Sequence, residues 1–283
     1  MTGHIAFQGE LGAYGHQACF ETYPNMTPLP CPSFEDAIEA VRNGAADLGM
    51  IGVENSTFGR VAEVHQLLPA SGLHIVDEAF VRVHINLLAV PGANMHDLKR
   101  VRSMYILLGQ ARGFLREHGL KTLNWADNAA AARDVAELGD VSEGALASEM
   151  AAQVYGLDIL AHHIEDHARN TTRFLVMARD EDRTRRGEYG MMSSLVFRVK
   201  NLPAALYKAM GGFATNGINI TKLESYMVDG HFTATQFYAE IEGHPDDENV
   251  VRALEELDHF TDMIRILGVY PAAARRRELI PER

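Results

Sequence analysis

Cysteine, tryptophan and long apolar runs are scarce in this sequence, and each scarcity excludes a class of protein. The 283 residues include two cysteines and one tryptophan. Two cysteines cannot form a disulfide scaffold, which favours a reducing compartment. No apolar run approaches the ~18 residues of a membrane-spanning helix, and the first residues lack the basic start and apolar stretch of a secretory signal. We therefore expect a cytoplasmic protein with no membrane partner.

Basic residues are also fewer than acidic residues. Lysine and arginine number 26 against 38 aspartates and glutamates, a formal net charge of −12. A general nucleic-acid binder needs a basic face that neutralises phosphates, so we expect no nucleic-acid partner. The nearest candidate, Arg275-Arg276-Arg277, is interpreted as a solvated terminus. Hydrophobic residues make up 47% and charged residues 23%, which is typical of a folded chain, and the length favours two domains.

Short β-rich runs alternate with helical patterns up to about residue 178, which predicts mostly parallel sheets covered by helices. Ser33 is predicted to cap a helix that ends at Asn43-Gly44, with one apolar stripe along its length. Residues 47–53 are predicted to form a buried strand. This strand brings Glu54-Asn55-Ser56-Thr57 to its carboxyl end, where open α/β sheets bind ligands.

A different pattern begins beyond a charged run at residues 180–187, which is interpreted as a linker rather than a solvated helical turn. From residue 191 the order is β-α-β-β-α-β, typical of the ferredoxin-like unit. Its helix is predicted over residues 203–214, and its central hairpin turns at Asp229-Gly230. The sequence therefore predicts a second, smaller α+β domain.

Three local motifs carry candidate chemistry. The glycines at 9, 12 and 15 open a helix after a strand but match no dinucleotide or P-loop motif, so an anion-binding turn and a plain tight turn both stay open. His162, His163 and His167 are favoured as surface histidines over a metal site, because their segment is strand-like. In Asn170–Phe174 a guanidinium beside two hydroxyls can clamp a carboxylate, with a capped turn as the alternative. We expect no metal and no cofactor.

Taken together, these motifs resemble prephenate dehydratase, which converts prephenate to phenylpyruvate in phenylalanine biosynthesis. The likeness covers residues 4–272, and its markers are Phe7-Gln8-Gly9-Glu10, Glu54-Asn55-Ser56, Ser103 with Gln110, Tyr155–Leu160, Glu165-Asp166 and Asn170–Phe174. The resemblance implies an α/β catalytic domain with two lobes, like a periplasmic binding protein, whose cleft holds the active site. It also implies a C-terminal ferredoxin-like ACT domain, a module that senses amino acids.

By this resemblance the catalytic domain spans residues 1–180. Its lobe 1 covers about 1–79 and 160–180, and its lobe 2 about 80–159. A linker at 181–190, the ACT domain at 191–272 and a tail at 273–283 complete the chain.

The resemblance also implies roles for individual residues. Thr172 is expected to give a proton or a strong hydrogen bond to the leaving hydroxyl of prephenate. The expected substrate-binding residues are Asn55, Ser56, Ser103, Gln110, Arg173 and Phe174. Arg173 and the backbone amides near Asn55 and Ser56 are expected to anchor carboxylate charge. The structural alternatives are a helix cap for Ser103 and an ion pair for Arg173.

L-Phenylalanine is the effector that the resemblance implies. Its expected binding residues are Asn201, Leu202, Pro203, Ala204, Ala205, Leu206, Asn219, Glu224 and Ser225. ACT domains usually pair side by side, which implies a homodimer or homotetramer.

Several residues depart from the pattern of the family. Ala13 and Gly15 stand where threonine and serine are usual, Met104 replaces a histidine, and Tyr226-Met227 replaces Arg-Pro. Two alternatives to prephenate dehydratase therefore stay open: an arogenate dehydratase, or a phenylalanine-sensing binding protein with weak catalysis. The net charge of −12 predicts that positive charge in the cleft is local and centred on Arg173.

Overall fold

The structure is a computed structural model that describes residues 2–167, 169–227 and 234–279. The chain forms two compact units. Unit 1 comprises Met1–Val64 and Ala79–Phe174, and unit 2 comprises His65–Glu78 and Leu175–Arg283. Within the described ranges, every helix is too short or too polar to cross a membrane. The hairpin dipeptide Asp229-Gly230 lies outside them.

Unit 1 contains two sheets, which define two lobes. The elements of lobe 1 are β1 (His4–Gln8), α1 (Tyr14–Thr22), β2 (Thr27–Cys31), α2 (Phe34–Arg42), β3 (Leu48–Asn55), β4 (Gly59–Arg60) and the start of α3 (Ala62–Leu67). The lobe also takes the last residues of β5 (His74–Arg82) and the first of β11 (Thr171–Ala178). The strand order is β5-β11-β3-β1-β2, with β1 parallel to both of its neighbours.

The predicted helix at Ser33 is confirmed. The Ser33 hydroxyl accepts a hydrogen bond from the backbone N–H of Asp36 at 3.0 Å, and Asn43 caps the other end. Ala37, Ile38 and Val41 are buried, so the apolar stripe faces the core.

Strand β2 was not predicted, because its sequence contains Pro28 and Pro30. Proline cannot donate a ladder hydrogen bond, so it is tolerated only where the missing donor faces away from the sheet. Here β2 is the edge strand, and the two prolines share one side of its backbone. The backbone N–H of Thr27, on the opposite side, donates to Gly3 at 2.8 Å.

Lobe 2 carries the second sheet. Its elements are β6 (Asn86–Ala89), β7 (Arg100–Ser103), α4 (Tyr105–Gln110), α5 (Arg112–Glu117), β8 (Lys121–Asn124), α6 (Asn128–Leu138), β9 (Glu143–Ala147), α7 (Glu149–Tyr155) and β10 (Asp158–Ala161). The strand order is β10-β6-β9-β7-β8. The alternating pattern predicts strands near Val101, Leu123 and Ala145, and the structure confirms them as β7, β8 and β9. It also predicts a helix near residues 109–118, which is present as α5. Helix α4, which the backbone at Ala111 (φ −118°, ψ 24°) separates from α5, was not predicted.

Unit 2 contains β12 (Met191–Val199), α8 (Ala205–Thr215), β13 (Ile220–Met227), β14 (Ala234–Glu242), α9 (Glu248–His259), β15 (Thr261–Pro271) and α10 (Ala274–Leu279). The predicted β-α-β-β-α-β order is present, and the strand order is β13-β14-β12-β15.

Helix α8 begins at Ala205, not at Pro203, because Ala204 adopts a left-handed conformation (φ 58°). Residues 65–78 and 175–190 group with this unit.

The interpretation of the arginine-rich tail as solvated is wrong for Arg276. Its guanidinium makes two hydrogen bonds to the carboxylate of Glu78, at 2.8 and 2.5 Å, and lies 3.7 Å from that of Glu240. Both glutamates are buried, at 3% and 1% exposure. Buried carboxylates need paired positive charge, so the tail supplies the cation that two interior acids of unit 2 require.

We expect Arg276→Ala to lower the free energy of unfolding by about 3–5 kcal/mol, because it leaves buried carboxylates without their arginine. Arg277→Ala is the matched control, since that side chain is exposed and stacks on Tyr189. Urea unfolding followed by circular dichroism measures both. Equal, small losses of unfolding free energy in the two variants would show that the Arg276 ion pairs do not stabilise the fold.

Candidate active site

A cavity of about 180 Å³ lies in unit 1, between the two lobes. Lobe 1 contributes the carboxyl ends of β1 and β3 and the amino end of β11, and lobe 2 contributes the first residues of α4 and α6. The carboxyl ends of β1 and β3 therefore meet the amino ends of helices at one place. This is the arrangement that α/β folds use to bind small ligands.

The alternation of side chains along two strands decides which residues reach the cavity. On β11, Thr172 and Phe174 line it, whereas Arg173 between them does not. On β3, Met50, Gly52 and Glu54 line it in the same alternating way. A Cβ at Gly52 would lie 3.3 Å from the Phe174 ring, so glycine permits the close approach of these strands.

A hydrogen-bond network joins the lobes beside Thr172. The Gln110 amide of lobe 2 donates to the Thr57 hydroxyl at 2.6 Å and accepts from the Asn170 amide at 2.9 Å. The Asn55 amide donates to Asn170 at 2.7 Å and to the Thr172 hydroxyl oxygen at 3.0 Å. Thr57 and Asn170 stand within predicted motifs, but their bridging role was not predicted.

The amides near Ser56 are already occupied, which does not fit their expected role as carboxylate anchors. The Ser56 N–H donates to Thr171 at 2.9 Å, and the N–H groups of Thr57 and Phe58 donate to the Asn55 side chain at 3.0 Å. The Ser56 hydroxyl donates to the Arg169 carbonyl at 2.7 Å. Ser56 therefore ties two loops together and does not line the cavity.

Arg173 also departs from its expected place. It is 4% exposed, and its guanidinium donates to Glu54 at 2.9 Å and lies 5.8 Å from the centre of the Phe80 ring. The structure favours the ion-pair alternative, because a buried guanidinium needs its carboxylate partner. The positive charge expected around Arg173 is thus balanced by Glu54.

Ser103 is buried away from the cavity. Its hydroxyl donates to the Leu146 carbonyl at 2.7 Å, which links neighbouring strands of lobe 2. It is not a helix cap either, because Met104 is the N-cap of α4. The structure thus places Thr172, Asn55, Gln110 and Phe174 at the cavity, and Ser56, Ser103 and Arg173 outside its lining.

Three of the departures from the family pattern, at Ala13, Gly15 and Met104, lie at the cavity wall. Met104, Ile106 and Leu107 line its lobe 2 side, and Ala13 and Gly15 line its lobe 1 side. A Cβ at Gly15 would lie 3.0 Å from the Phe7 ring, so a larger residue there would displace that ring. The wall is consequently more apolar than the family pattern implies.

The amino end of α1 offers backbone donors to this cavity. Ala13, its N-cap, makes no side-chain capping bond, whereas Ser33 and Asp127 cap α2 and α6. The first turn of a helix has N–H groups without intrahelical acceptors and a positive dipole end. Because Ala13, Tyr14 and Gly15 border the cavity, this end of the nine-residue helix can receive a ligand carboxylate.

Asp127 is the cavity residue that sequence reasoning missed. Its carboxylate accepts from the Ala130 N–H at 2.8 Å, as an N-cap does. Burial raises the pKa of Asp127, while backbone N–H groups and Arg133 lower it and Glu10 raises it further. Its only sequence signal is an aspartate before a helix, and that signal is also typical of an ordinary cap.

Two of the three histidines considered as metal ligands lie near the crossing between lobes. The His163 ring stacks on His84 at 3.9 Å and meets the His162 ring edge-on at 6.1 Å. His84 bonds Glu165 at 3.0 Å, and Glu165 accepts from the Ile85 N–H. Among the residues that the structure describes, no group of three or more metal-ligating side chains is assembled.

Comparison with known proteins agrees with this geometry. Residues 5–182 match the family described as prephenate dehydratase. The chain belongs to the prephenate dehydratase family. A relative from Komagataeibacter europaeus, named a bifunctional N-acyl-homoserine lactone acylase/prephenate dehydratase, is 46% identical over 97% of this chain and 98% of its own.

Two further relatives extend the comparison. An arogenate dehydratase/prephenate dehydratase of Arabidopsis thaliana is 37% identical over 94% of this chain and 71% of its own. The crystal structure of the Arthrobacter aurescens prephenate dehydratase in complex with L-Phe is 28% identical, with a TM-score of 0.87 over 95% of this chain and 90% of its own. The two-lobed fold is therefore that of the family, and membership supports a dehydratase of the lyase class.

The residues expected to bind phenylalanine lie on two stretches of unit 2. Residues 201–204 form the turn before α8, where Leu202 is 55% exposed. Ala205 and Leu206 begin the helix, and Asn219 accepts from the Glu242 N–H just before β13. Glu224 and Ser225 stand on β13, opposite Tyr238 and Phe237 of β14. Strand β13 ends this part of the sheet in the described topology.

We expect Gln110→Leu to reduce kcat/KM of the dehydratase reaction at least ~10-fold, because Thr57 and Asn170 lose their partner across the cavity. Gln153→Leu, at an exposed position on α7, is the control. Steady-state kinetics with both variants measures the effect. Unchanged kinetics in Gln110→Leu would exclude a role for the bridge in catalysis.

Proposed function

We propose that this protein is a cytoplasmic prephenate dehydratase, which forms phenylpyruvate from prephenate in phenylalanine biosynthesis. The observation that carries the proposal is the Thr172 hydroxyl at the cavity wall, whose oxygen accepts the Asn55 N–H at 3.0 Å. Since that oxygen is the acceptor, its own proton is free to be donated elsewhere. Among the described residues, no second hydrogen bond of this hydroxyl is found.

The reaction removes water and carbon dioxide together. The bond between the ring and its carboxylate breaks, and its electron pair completes the aromatic ring as the carbon–oxygen bond of the ring hydroxyl breaks. Thr172 gives its proton to the departing hydroxide, which leaves as water, and solvent returns a proton to Thr172. Because aromaticity drives the step, the enzyme needs orientation and a proton source more than a covalent intermediate.

Threonine is a very weak acid, so its surroundings must favour the loss of its proton. The Asn55 N–H donates to the oxygen on which negative charge develops, which stabilises that charge. Asn170 and Gln110 hold the Asn55 amide in place. For the substrate carboxylates, the uncapped end of α1 replaces Arg173 as the proposed anchor.

We expect Thr172→Ala to lower turnover at least ~100-fold with folding intact, because the proton donor is lost. Thr172→Ser keeps a hydroxyl and is expected to retain most of the activity. Turnover of prephenate and the far-UV circular dichroism of both variants are the measurements. Near-normal turnover of Thr172→Ala would remove Thr172 from the mechanism.

The function itself is tested by incubating the pure protein with prephenate and then with arogenate, whose side chain has an amine in place of the keto group. Phenylpyruvate from prephenate supports the proposal, and phenylalanine from arogenate supports the alternative substrate. Absence of both products, with phenylalanine still bound, would favour the catalytically weak binding protein.

We further propose that residues 191–272 form an ACT regulatory domain, after a catalytic domain at 1–180 and a linker at 181–190. The β-α-β-β-α-β order supports this, as does the L-Phe complex of the Arthrobacter relative. The proposed effector site comprises the 201–206 and 219–225 stretches. Pairing of two ACT domains would produce a homodimer or homotetramer.

We expect saturating L-phenylalanine to lower turnover and to change the X-ray scattering profile, because an effector shifts the population toward the state it binds more tightly. D-Phenylalanine is the control. If L-phenylalanine leaves both activity and scattering unchanged, the regulatory proposal fails.

The apolar wall supports acylase activity as a second candidate. The K. europaeus relative is also named an N-acyl-homoserine lactone acylase, and Met104, Ile106 and Leu107 offer an apolar surface to an acyl chain. Release of homoserine lactone from a long-chain N-acyl-homoserine lactone tests this candidate directly.

A further inference from the structure

The charges at the cavity are of one sign. Glu54 and Asp127 line it, and among the described lining residues there is no lysine, arginine or histidine. Glu54 is paired with Arg173. Asp127 is therefore the lining carboxylate for which the structure provides no direct cation partner within the described residues.

Arg133, whose positive charge acts on Asp127, is bonded to other carboxylates. The guanidinium of Arg133 donates to Glu10 at 2.6 Å and to Asp134 at 3.0 Å. Two carboxylates thus already share this arginine, and Glu10 adds negative potential at Asp127. Burial disfavours the charged form of Asp127 and raises its pKa, so a cationic ligand would stabilise the carboxylate more than a neutral one.

Asp127 lies beside the uncapped end of α1. A Cβ at Gly9 would be 3.3 Å from the Cβ of Ala13, the N-cap of α1, and 3.4 Å from Oδ2 of Asp127. The amino end of α1, which can receive a carboxylate, and the Asp127 carboxylate, which can receive a cation, therefore both lie next to Gly9. This pair of places matches the α-carboxylate and α-ammonium groups of an amino acid.

We propose that Asp127 is a specificity-determining residue that binds an ammonium group on the substrate side chain, so that the cavity accepts arogenate in addition to prephenate. This inference rests on the dehydratase function proposed above. Arogenate places an ammonium group next to its side-chain carboxylate, whereas prephenate has an uncharged keto oxygen there. Prephenate therefore gains no ion pair with Asp127.

Asp127→Asn is the decisive variant, because an asparagine side chain caps a helix as well as aspartate does and removes only the charge. The measurement is kcat/KM for arogenate and for prephenate, from the release of phenylalanine and phenylpyruvate. We expect wild-type protein to convert arogenate as well as prephenate. In Asp127→Asn we expect kcat/KM for arogenate to fall at least ~10-fold while that for prephenate changes little.

Asp36→Asn is the matched control, since Asp36 lies in the first turn of α2 and outside the cavity lining. It should leave the ratio of the two kcat/KM values unchanged. An equal loss for both substrates in Asp127→Asn would assign Asp127 a purely structural role and overturn the inference. Wild-type protein that converts prephenate but not arogenate would also overturn it. If wild-type protein converts neither substrate, the dehydratase function fails, and the inference fails with it.

Discussion

The hydrogen bonds of Gln110 to Thr57 and Asn170 are the contact on which the candidate active site depends. They join side chains that come from different lobes, and the chain separates Gln110 from Asn170 by 60 residues. Asn170 in turn holds Asn55, and Asn55 orients Thr172. The position of the proposed proton donor is thus coupled to the approach of the lobes. A ligand that favours this approach also assembles the chemistry around itself.

Local order in this protein follows from local sequence. The helix after Ser33 and strands β7, β8 and β9 are predictable because capping and hydrophobic periodicity act over a few residues. Strand β2 cannot be predicted in this way, because its two prolines are compatible with a strand only at the edge of a sheet. Whether a strand lies at the edge depends on how the whole sheet is assembled. The break between α4 and α5 at Ala111 has no comparable signal in the residues.

The candidate site is predictable in part for the same reason. Thr172, Asn55 and Gln110 stand in recognisable motifs, and the structure brings them to one cavity. Side chains alternate between the two faces of β11, which already implies that Arg173 and Thr172 point in opposite directions. Only the fold shows that the carboxylate of Glu54 lies beside the Arg173 guanidinium. Asp127 resembles any helix cap in sequence, and its place at the cavity depends on how the lobes meet.

The ion pair between Arg276 and Glu78 joins residues 198 positions apart in the chain. During synthesis, Glu78 leaves the ribosome long before its arginine exists, and Glu240 also precedes it. Unit 2 therefore cannot bury these two carboxylates in their final ion pairs until residue 276 has been made. A message that ends before the codon for Arg276 would yield a chain with every proposed catalytic residue but without the cation that these buried carboxylates of unit 2 require.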